Sequence, residues 1–466
     1  MPPTSWIVLM SDQQNAWTCS DHANIRTPNL DRLKQTGTWF ENAFCSSPIC
    51  TPSRASCQTG LMPHQHKLIH NTGKDVAFVN EISRSIPTLA DKLNNAGYAT
   101  AYVGKWHIGN CDDPTAYGYQ TYDKAVPCKT TPHPVVSEIH LPGDQSRRSL
   151  LARTLDMDPH DSEPMRVGHA AVDRLKKLIN QSQPFLLFAS TLAPHVPWQC
   201  PASIAAHYPP QDIPMPASYQ CSLPESPTCY RRQYNMHNDA YLPDDWPTIS
   251  KALSCYYGMC ELVDQALGMI LETLDQYDLT DQIGIIFLSD HGEIMGHHGR
   301  IGKGDYLFDP ITRIPLLVAP PGGANVDRCD ALVSICDVFA TCLDQTLVLR
   351  DLPETSRSLL PLTQGKQTNT RQCLLLEHHG SIFHDTVRGI RTHDWKYVYR
   401  PNDTDELFDL NEDQYEQTNL INDPSHMNIL MQLRHQLVDE MKQTNDPFTV
   451  AAQYSLLQNP INKGKK

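Results

Sequence analysis

Cys50 opens the segment CTPSRASCQTG (residues 50–60), whose residue types and spacing are suited to chemistry on an anion. Pro52 is favourable in the first turn of a helix, so we expect Cys50 to lie at a helix N-terminus, where free N–H groups and the helix dipole favour negative charge. Arg54 follows four residues later and would share the same helix face. A fixed guanidinium beside a potential nucleophile suits a substrate with tetrahedral anionic oxygens.

Further polar side chains follow short apolar segments that we interpret as buried parallel strands. The segments are residues 6–10, 98–103, 185–189 and 283–288. The polar residues that follow them are, in the same order, Asp12 with Gln13, Lys105 with His107, His195, and Asp290 with His291. Ligands of open α/β sheets bind in the crevice beyond the carboxyl ends of the strands, so we expect these side chains to meet in one place.

Segment 50–60 resembles the signature of the type I, formylglycine-dependent sulfatases, C-x-P-S-R followed by T-G five residues after the Arg. In that family a separate enzyme converts the Cys into formylglycine, whose hydrated aldehyde attacks the sulfate sulfur. The resemblance therefore implies that Cys50 becomes the nucleophile and that a formylglycine-generating enzyme is a partner of this chain. It also implies the alkaline-phosphatase-like fold.

The resemblance extends to a metal site. Asp12-Gln13 and Asp290-His291 look like the two metal-binding strand ends of sulfatases, which together with Cys50 implies a divalent ion held by these five residues. Oxygen-rich coordination suits a hard ion, usually calcium in this family. Many sulfatases have Asp-Asp and Asp-Asn at these positions, however, so Gln13 and His291 shift the preference towards manganese or another borderline metal.

Three further segments match the family in chain order. Gly-Lys-Trp-His at 104–107 makes Lys105 a sulfate-binding residue and His107 the base that deprotonates the formylglycine hydrate, by analogy with the family. The spacing of two places both side chains on one side of an extended strand end. Pro-His-x-Pro-Trp at 194–198 and Gly-Lys-Gly at 302–304 imply that His195 and Lys303 bind the bridging oxygen and protonate the leaving alcohol. Asn71 resembles an Asn that family members place near the sulfate.

The elements that must position these residues alternate between strand and helix. Helical patterns cover residues 88–97 and about 249–276, and this alternation predicts a predominantly parallel sheet covered on both faces. After about residue 371, short alternating strands form an expected hairpin (386–391 and 395–399), followed by a helix near 427–442. We therefore predict an α/β fold with a large mixed, mostly parallel sheet between helices as a catalytic domain (1–370). A smaller C-terminal α+β subdomain (371–466) would follow it.

Composition narrows the function classes. The formal net charge of −14 argues against nucleic acid as a partner, because phosphate binding needs a basic surface. No uninterrupted apolar run of about 18 residues is present, and no secretory signal is visible, so we expect a cytoplasmic protein without a membrane span. The 15 cysteines are scattered without C-x-x-C pairs, which favours reduced thiols. His64 and His66, close to the signature, we interpret as polar loop residues.

The function that these residues favour is hydrolysis of a sulfate ester. Because a chain of net charge −14 should repel a long sulfated polysaccharide, we expect a small or chain-end substrate, a carbohydrate or aryl sulfate. The first alternative is a phosphonate monoester or phosphodiester hydrolase, whose family also uses formylglycine and often has the Asp-Gln and Asp-His ligand pattern; Lys105 and His107 weigh against it. The second is a binding protein that never receives formylglycine. The oligomeric state stays open.

Overall fold

The computed structural model describes residues 4–458, apart from 74–76, 111, 126–131, 143–148, 222, 224–225, 232–238, 345, 347–351, 367–369 and 382–383. The strands are β1 (Trp6–Ser11), β2 (Thr38–Phe44), β3 (Ala99–Gly104), β4 (Thr121–Asp123), β5 (Val135–His140), β6 (Leu150–Leu155), β7 (Phe185–Ser190), β8 (Trp198–Pro201), β9 (Asp239–Tyr241), β10 (Gly284–Ser289), β11 (Arg300–Gly302), β12 (Leu316–Ala319), β13 (Arg328–Ser334), β14 (Leu374–His378), β15 (Val387–Arg391), β16 (Trp395–Tyr399) and β17 (Glu406–Asp409). The α-helices are α1 (Pro28–Lys34), α2 (Cys50–Thr59), α3 (Pro63–His66), α4 (Leu89–Asn95), α5 (Glu163–Ile179), α6 (Ala202–Ala205), α7 (Trp246–Gln276), α8 (Asp309–Thr312), α9 (Asp337–Leu343), α10 (Leu360–Thr363), α11 (Met427–Gln443) and α12 (Thr449–Gln453).

The main sheet has eight strands in the order β13-β2-β12-β10-β1-β7-β3-β4. The four strands predicted from apolar segments are its adjacent, mutually parallel centre, β10-β1-β7-β3. Strand β12 runs antiparallel to both of its neighbours, so the sheet is mixed but mostly parallel, as predicted. The register pairs Ser11 with Ser289 and Gly104 with Ser190, so the carboxyl ends of these strands are level and the residues that follow them emerge at one edge.

Helices cover both faces of this sheet, because successive side chains of a strand point to opposite sides. In β1, Ile7 and Leu9 belong to an apolar cluster shared with α5 and α7, whereas Trp6, Val8 and Met10 pack with α2, α4 and α9. Burial on both faces is the reason that the central strands have nearly continuous apolar sequences.

A four-stranded antiparallel sheet, β14-β15-β16-β17, forms the C-terminal part, and it contains the expected hairpin of β15 and β16. Helix α11 packs on this sheet through Leu433 and Leu437, which share a cluster with Ile390 and Tyr397. The fold class is therefore confirmed, while the division at residue 370 stays a prediction. Among the described residues, none of the helices has the length and apolar composition that a membrane span requires.

Candidate active site

Cys50 is the first residue of α2, so the helix begins where Pro52 predicts it. Ile49 before it has extended backbone, which turns the chain into the helix at the edge where the central strands end. The Thr51 N–H, one of the free groups of the first turn, donates to Asn71 Oδ1 at 3.0 Å, and the Thr51 hydroxyl donates to the carbonyl of His107 at 2.9 Å. These bonds fix the start of the helix and hold the Cys50 thiol, which is buried, in the crevice.

The surroundings of the thiol favour negative charge. Its Sγ lies 3.0 Å from Lys303 Nζ, 3.3 Å from His291 Nε2 and 3.6 Å from Asp12 Oδ1, and the side chains of His107 and His195 lie nearby. Burial alone would raise the pKa of the Cys50 thiol, but the charges of Lys105 and Lys303 outweigh it and hold that pKa well below its usual value. An anionic group at residue 50 is therefore stabilised here.

Four potential metal ligands surround the same point. One ligand atom each of Asp12, Cys50, Asp290 and His291 lies within 4.8 Å of the others, and all four residues are buried. His291 Nδ1 is 2.9 Å from the carbonyl oxygen of Gly292, so Nδ1 carries the proton and the lone pair of Nε2 faces the site. Ligating histidines are held in this way by a second hydrogen bond. The donor set therefore fits a divalent metal ion.

Gln13 reaches the site through unusual backbone geometry. Its φ of 64° is in the left-handed region, and its N–H and C=O are fixed by Asp290 Oδ1 at 3.0 Å and the hydroxyl of Tyr256 at 2.9 Å. Such a conformation costs about 1–3 kcal/mol and persists only where surrounding contacts impose it. The turn brings Gln13 Oε1 to 2.9 Å from Lys303 Nζ, at the edge of the metal-ligand cluster.

Arg54 orients the two carboxylates. Its Nε donates to Asp290 Oδ2 at 2.7 Å, and its Nη2 donates to Asp12 Oδ2 at 3.1 Å. Its Nη1 is held by Ser190 Oγ at 2.8 Å and the carbonyl of Lys105 at 3.1 Å. Burial would raise the pKa of Asp12, but the nearby Lys105 and Arg54 charges hold it below its usual value. The guanidinium is thus directed at the two carboxylates, whereas the sequence had suggested that it would lie beside the anionic oxygens of the substrate.

His195 and Lys303 form a second hydrogen-bonded pair. His195 Nδ1 is 2.5 Å from the carbonyl of Val196, which assigns the proton to Nδ1 and makes Nε2 an acceptor for Lys303 Nζ at 3.1 Å. Burial and the Lys303 charge both lower the pKa of His195. Lys303 Nζ has four acceptors within 3.1 Å, those of Gln13, Cys50, His195 and His291, but an ammonium has three protons. At any moment, one of these four acceptors is therefore without a proton from Lys303 and is able to accept a hydrogen bond from another donor.

The predicted residues come together in this pocket. They are Asp12, Gln13, Cys50, Arg54, Lys105, His107, His195, Asp290, His291 and Lys303. Sequence reasoning missed Ser190, which lies one residue beyond the predicted strand. It also missed Glu163, whose carboxylate accepts the N–H groups of Leu192 at 2.8 Å and Ala193 at 3.2 Å. These two hydrogen bonds fix the loop that leads to His195.

Comparison with known proteins identifies the class to which this fold and site belong. Residues 3–348 match the family model described as Sulfatase, and residues 296–443 match the one described as N-sulphoglucosamine sulphohydrolase, C-terminal. The chain therefore belongs to the sulfatase family and is a sulfuric ester hydrolase. The family implies a divalent metal and formylglycine.

Similar curated proteins include the uncharacterized sulfatase YidJ of Escherichia coli (strain K12), 28% identical over 96% of this chain and 89% of the relative. They also include the choline-sulfatase of Rhizobium meliloti (strain 1021), 26% identical over 90% of this chain and 82% of the relative. Among solved structures, a protein in complex with its substrate D-glucosamine-2-N,6-O-disulfate has a TM-score of 0.76 at 18% identity, with 96% of this chain and 99% of that chain covered. The phosphonate monoester hydrolase of Agrobacterium radiobacter has a TM-score of 0.76 at 22% identity, with 95% and 96% covered. These likenesses show the shared fold.

Proposed function

We propose that this chain hydrolyses the sulfate ester of a small or chain-end aryl or carbohydrate alcohol, with Cys50 converted to formylglycine as the source of the nucleophile. The observation that carries the proposal is the group of side chains around Cys50 Sγ, where Lys303, His291 and Asp12 lie within 3.6 Å at the start of a buried helix. A formylglycine-generating enzyme is the partner that this role requires.

Lys105 and Lys303 provide the positive charge for sulfate binding. Lys105 Nζ donates to Asp12 and, because an ammonium has three protons, can donate to a second acceptor as well. Both cations are buried or half-buried, where their attraction for an anion is stronger than in water. The side chain of His107 lies near residue 50, and we assign it the role of the base that removes a proton from the group there.

Asp12, Gln13, Asp290 and His291, together with the group at residue 50, would hold the metal ion. A bound divalent ion supplies Lewis acidity that polarises sulfate oxygens. Two carboxylates and an amide oxygen favour Ca²⁺, which prefers oxygen ligands, and we propose it as the native ion. The imidazole Nε2 of His291 makes Mn²⁺ the alternative.

We assign the leaving group to the side of the pocket formed by His195 and Lys303. Because Nδ1 of His195 is committed to a backbone carbonyl, its Nε2 shares the Lys303 proton, and the pair can deliver that proton to a departing alkoxide. Lys303 Nζ is 3.0 Å from Cys50 Sγ, so the donor lies within reach of a sulfate bound at residue 50. An oxygen leaving from that sulfate would meet the pair.

The substrate class rests on charge and on relatives. The acidic chain, at −14, repels polyanions, which favours a small ester or the end of a chain. Choline sulfate is the substrate that one relative's name gives, and a structural neighbour binds a disulfated glucosamine. Both are small.

The test is a substrate screen on protein co-expressed with a formylglycine-generating enzyme. Peptide mass spectrometry first establishes the state of residue 50, and Cys50→Ala protein serves as the blank. We expect turnover of aryl, choline or monosaccharide sulfates that exceeds turnover of sulfated polymers and is absent from the blank. Converted, metal-loaded protein that hydrolyses none of these sulfates would contradict the proposal.

Phosphonate monoester hydrolysis is the second candidate. It is favoured by Gln13 and His291 at the metal site and by the phosphonate monoester hydrolases among the structural neighbours, one with a TM-score of 0.77 at 19% identity. Phenyl phosphonate esters belong in the same screen, measured on the same preparation. A kcat/KM for a phosphonate monoester above that for every sulfate ester would make this the principal activity.

A further inference from the structure

Glu293 is a buried carboxylate that contacts two parts of the site without facing the Cys50 pocket. It lies three residues after Asp290, and its relative exposure is 0%. Its Oε1 accepts the backbone N–H groups of Gly302 at 2.5 Å and Met295 at 3.3 Å, and its Oε2 accepts Nε2 of Gln13 at 2.5 Å. Both carboxylate oxygens therefore accept N–H donors.

The bond from Gln13 decides which way its amide points. Oxygen and nitrogen of a glutamine amide are interchangeable in shape, so the hydrogen-bond partners set the orientation. With Nε2 on Glu293, Gln13 Oε1 faces Lys303 Nζ at 2.9 Å, and this ammonium also contacts the metal ligands Cys50 and His291. The same carboxylate holds the N–H of Gly302, the residue before Lys303. One side chain therefore fixes both a ligand oxygen and the approach of a cation.

We propose that Glu293 is a positioning residue that presents the Gln13 oxygen to the metal ion and fixes Lys303 in the pocket. This inference rests on the metal site of the proposed function. Outer residues that orient metal ligands typically change metal affinity 10- to 100-fold when they are replaced.

Replacement by glutamine should reverse the amide. In Glu293→Gln, the new amide oxygen must still accept the N–H groups of Gly302 and Met295, so the new NH₂ faces Gln13. Two NH₂ groups then meet, and rotation of the Gln13 amide relieves the conflict by turning its NH₂ towards Lys303 and the metal. An NH₂ group can neither ligate a cation nor accept a proton from an ammonium.

Exchange of the two residues should restore the arrangement. In the double variant Glu293→Gln/Gln13→Glu, the NH₂ at position 293 donates to one oxygen of the carboxylate at position 13, and the other oxygen faces Lys303 and the metal. The net charge is unchanged, and each buried donor regains an acceptor.

The experiment measures metal binding and not turnover. Metal-stripped wild type, Glu293→Gln, the double variant and Glu272→Gln, a control on the exposed face of α7, are titrated with Ca²⁺ and with Mn²⁺ by calorimetry. We expect Glu293→Gln to bind about 10- to 100-fold more weakly, with the control unchanged and the double variant recovered to within several-fold of wild type. Wild-type affinity in Glu293→Gln would overturn the proposal.

The remaining outcomes are also decisive. Affinity in the double variant as weak as that in Glu293→Gln would overturn the proposal, as would wild-type protein that binds neither ion. If Glu293→Gln does not fold, metal binding by a folded double variant supports the proposal, and its absence overturns it. Failure of wild-type protein to hydrolyse sulfate esters would count against the proposed function but would leave this test intact.

Discussion

Substitution His195→Ala should make the reaction depend more steeply on the leaving group. An alkyl or sugar alcohol departs as an unstable alkoxide unless a proton arrives in the transition state, whereas a nitrophenolate leaves without one. His195 Nε2 shares the proton of Lys303 at 3.1 Å, so the variant removes one member of the pair that would supply it. The loss should therefore grow with the pKa of the leaving group.

The contacts of Lys303 set the size of the effect. General acid catalysis is worth about 10²- to 10⁴-fold, which corresponds to about 3–5 kcal/mol. Lys303 keeps its acceptors on Gln13, Cys50 and His291 in the variant, so the ammonium stays in place and part of the proton supply survives. We therefore expect the lower end of the range for alkyl and sugar sulfates, about 10²-fold in kcat/KM, and a loss of no more than several-fold for nitrophenyl sulfate.

The assay measures kcat/KM for a series of aryl and alkyl sulfates that differ in the pKa of the leaving group. For each protein, the logarithm of kcat/KM is plotted against that pKa. His169→Ala, an exposed histidine on α5, is the matched control and should follow the wild-type line. Parallel lines for His195→Ala and wild type would refute the assignment, and His195 would then be a sulfate-binding residue.

Three further outcomes are expected. Cys50→Ala should abolish turnover with little change in unfolding temperature, while Cys57→Ala, a buried residue of α2 away from the pocket, should keep most activity, as substrate assays and thermal scans can check. Chelation should abolish activity, Ca²⁺ or Mn²⁺ should restore it, and Asp290→Ala should resist restoration; metal-free protein at full rate would contradict the metal site. Glu377 is buried beside Arg388, whose charge outweighs the effect of burial and holds the pKa of this carboxyl well below its usual value. The stability that Glu377 adds is therefore present above its unfolded pKa of about 4.3 and is lost as the pH falls through its folded pKa. Urea unfolding should thus show Glu377→Gln less stable by about 3–5 kcal/mol at neutral pH, with the gap to wild type closing below about pH 4; a pH-independent gap would contradict this.

The central strands could be predicted from the sequence because burial on both faces leaves a nearly continuous apolar run. Strand β2 escaped this reasoning because Glu41 and Asn42 interrupt it, and the structure leaves both residues partly exposed. The antiparallel direction of β12 could not be predicted. The direction of a strand depends on its pairing with other strands, and the short apolar sequence of β12 is compatible with either orientation.

The site was predictable where short segments combine a nucleophile, cations and strand-end carboxylates. The residues that support the site could not be predicted, because a buried glutamate such as Glu293 gains its role from Gln13, a partner 280 positions away in the sequence. His64 shows the same limit. We interpreted it as a polar loop residue, but it is buried in α3 with Nδ1 2.5 Å from Glu377 Oε1, a contact between the signature region and β14 that no local pattern encodes.

The location of charge, and not its sum, explains how an acidic chain binds an anion. Arg54 and Lys105 contact the carboxylates of Asp12 and Asp290, and Lys303 contacts Gln13 and Cys50 in the same pocket, so three cationic side chains face two carboxylates even before a divalent ion is added. Burial strengthens these interactions, because the effective dielectric constant around them is lower than that of water. The charges behind the net −14 act through solvent, where salt screens them beyond roughly 8–10 Å. A small sulfate ester inside the pocket therefore meets mainly the cations, whereas the outer part of a polyanion stays exposed to the acidic surface.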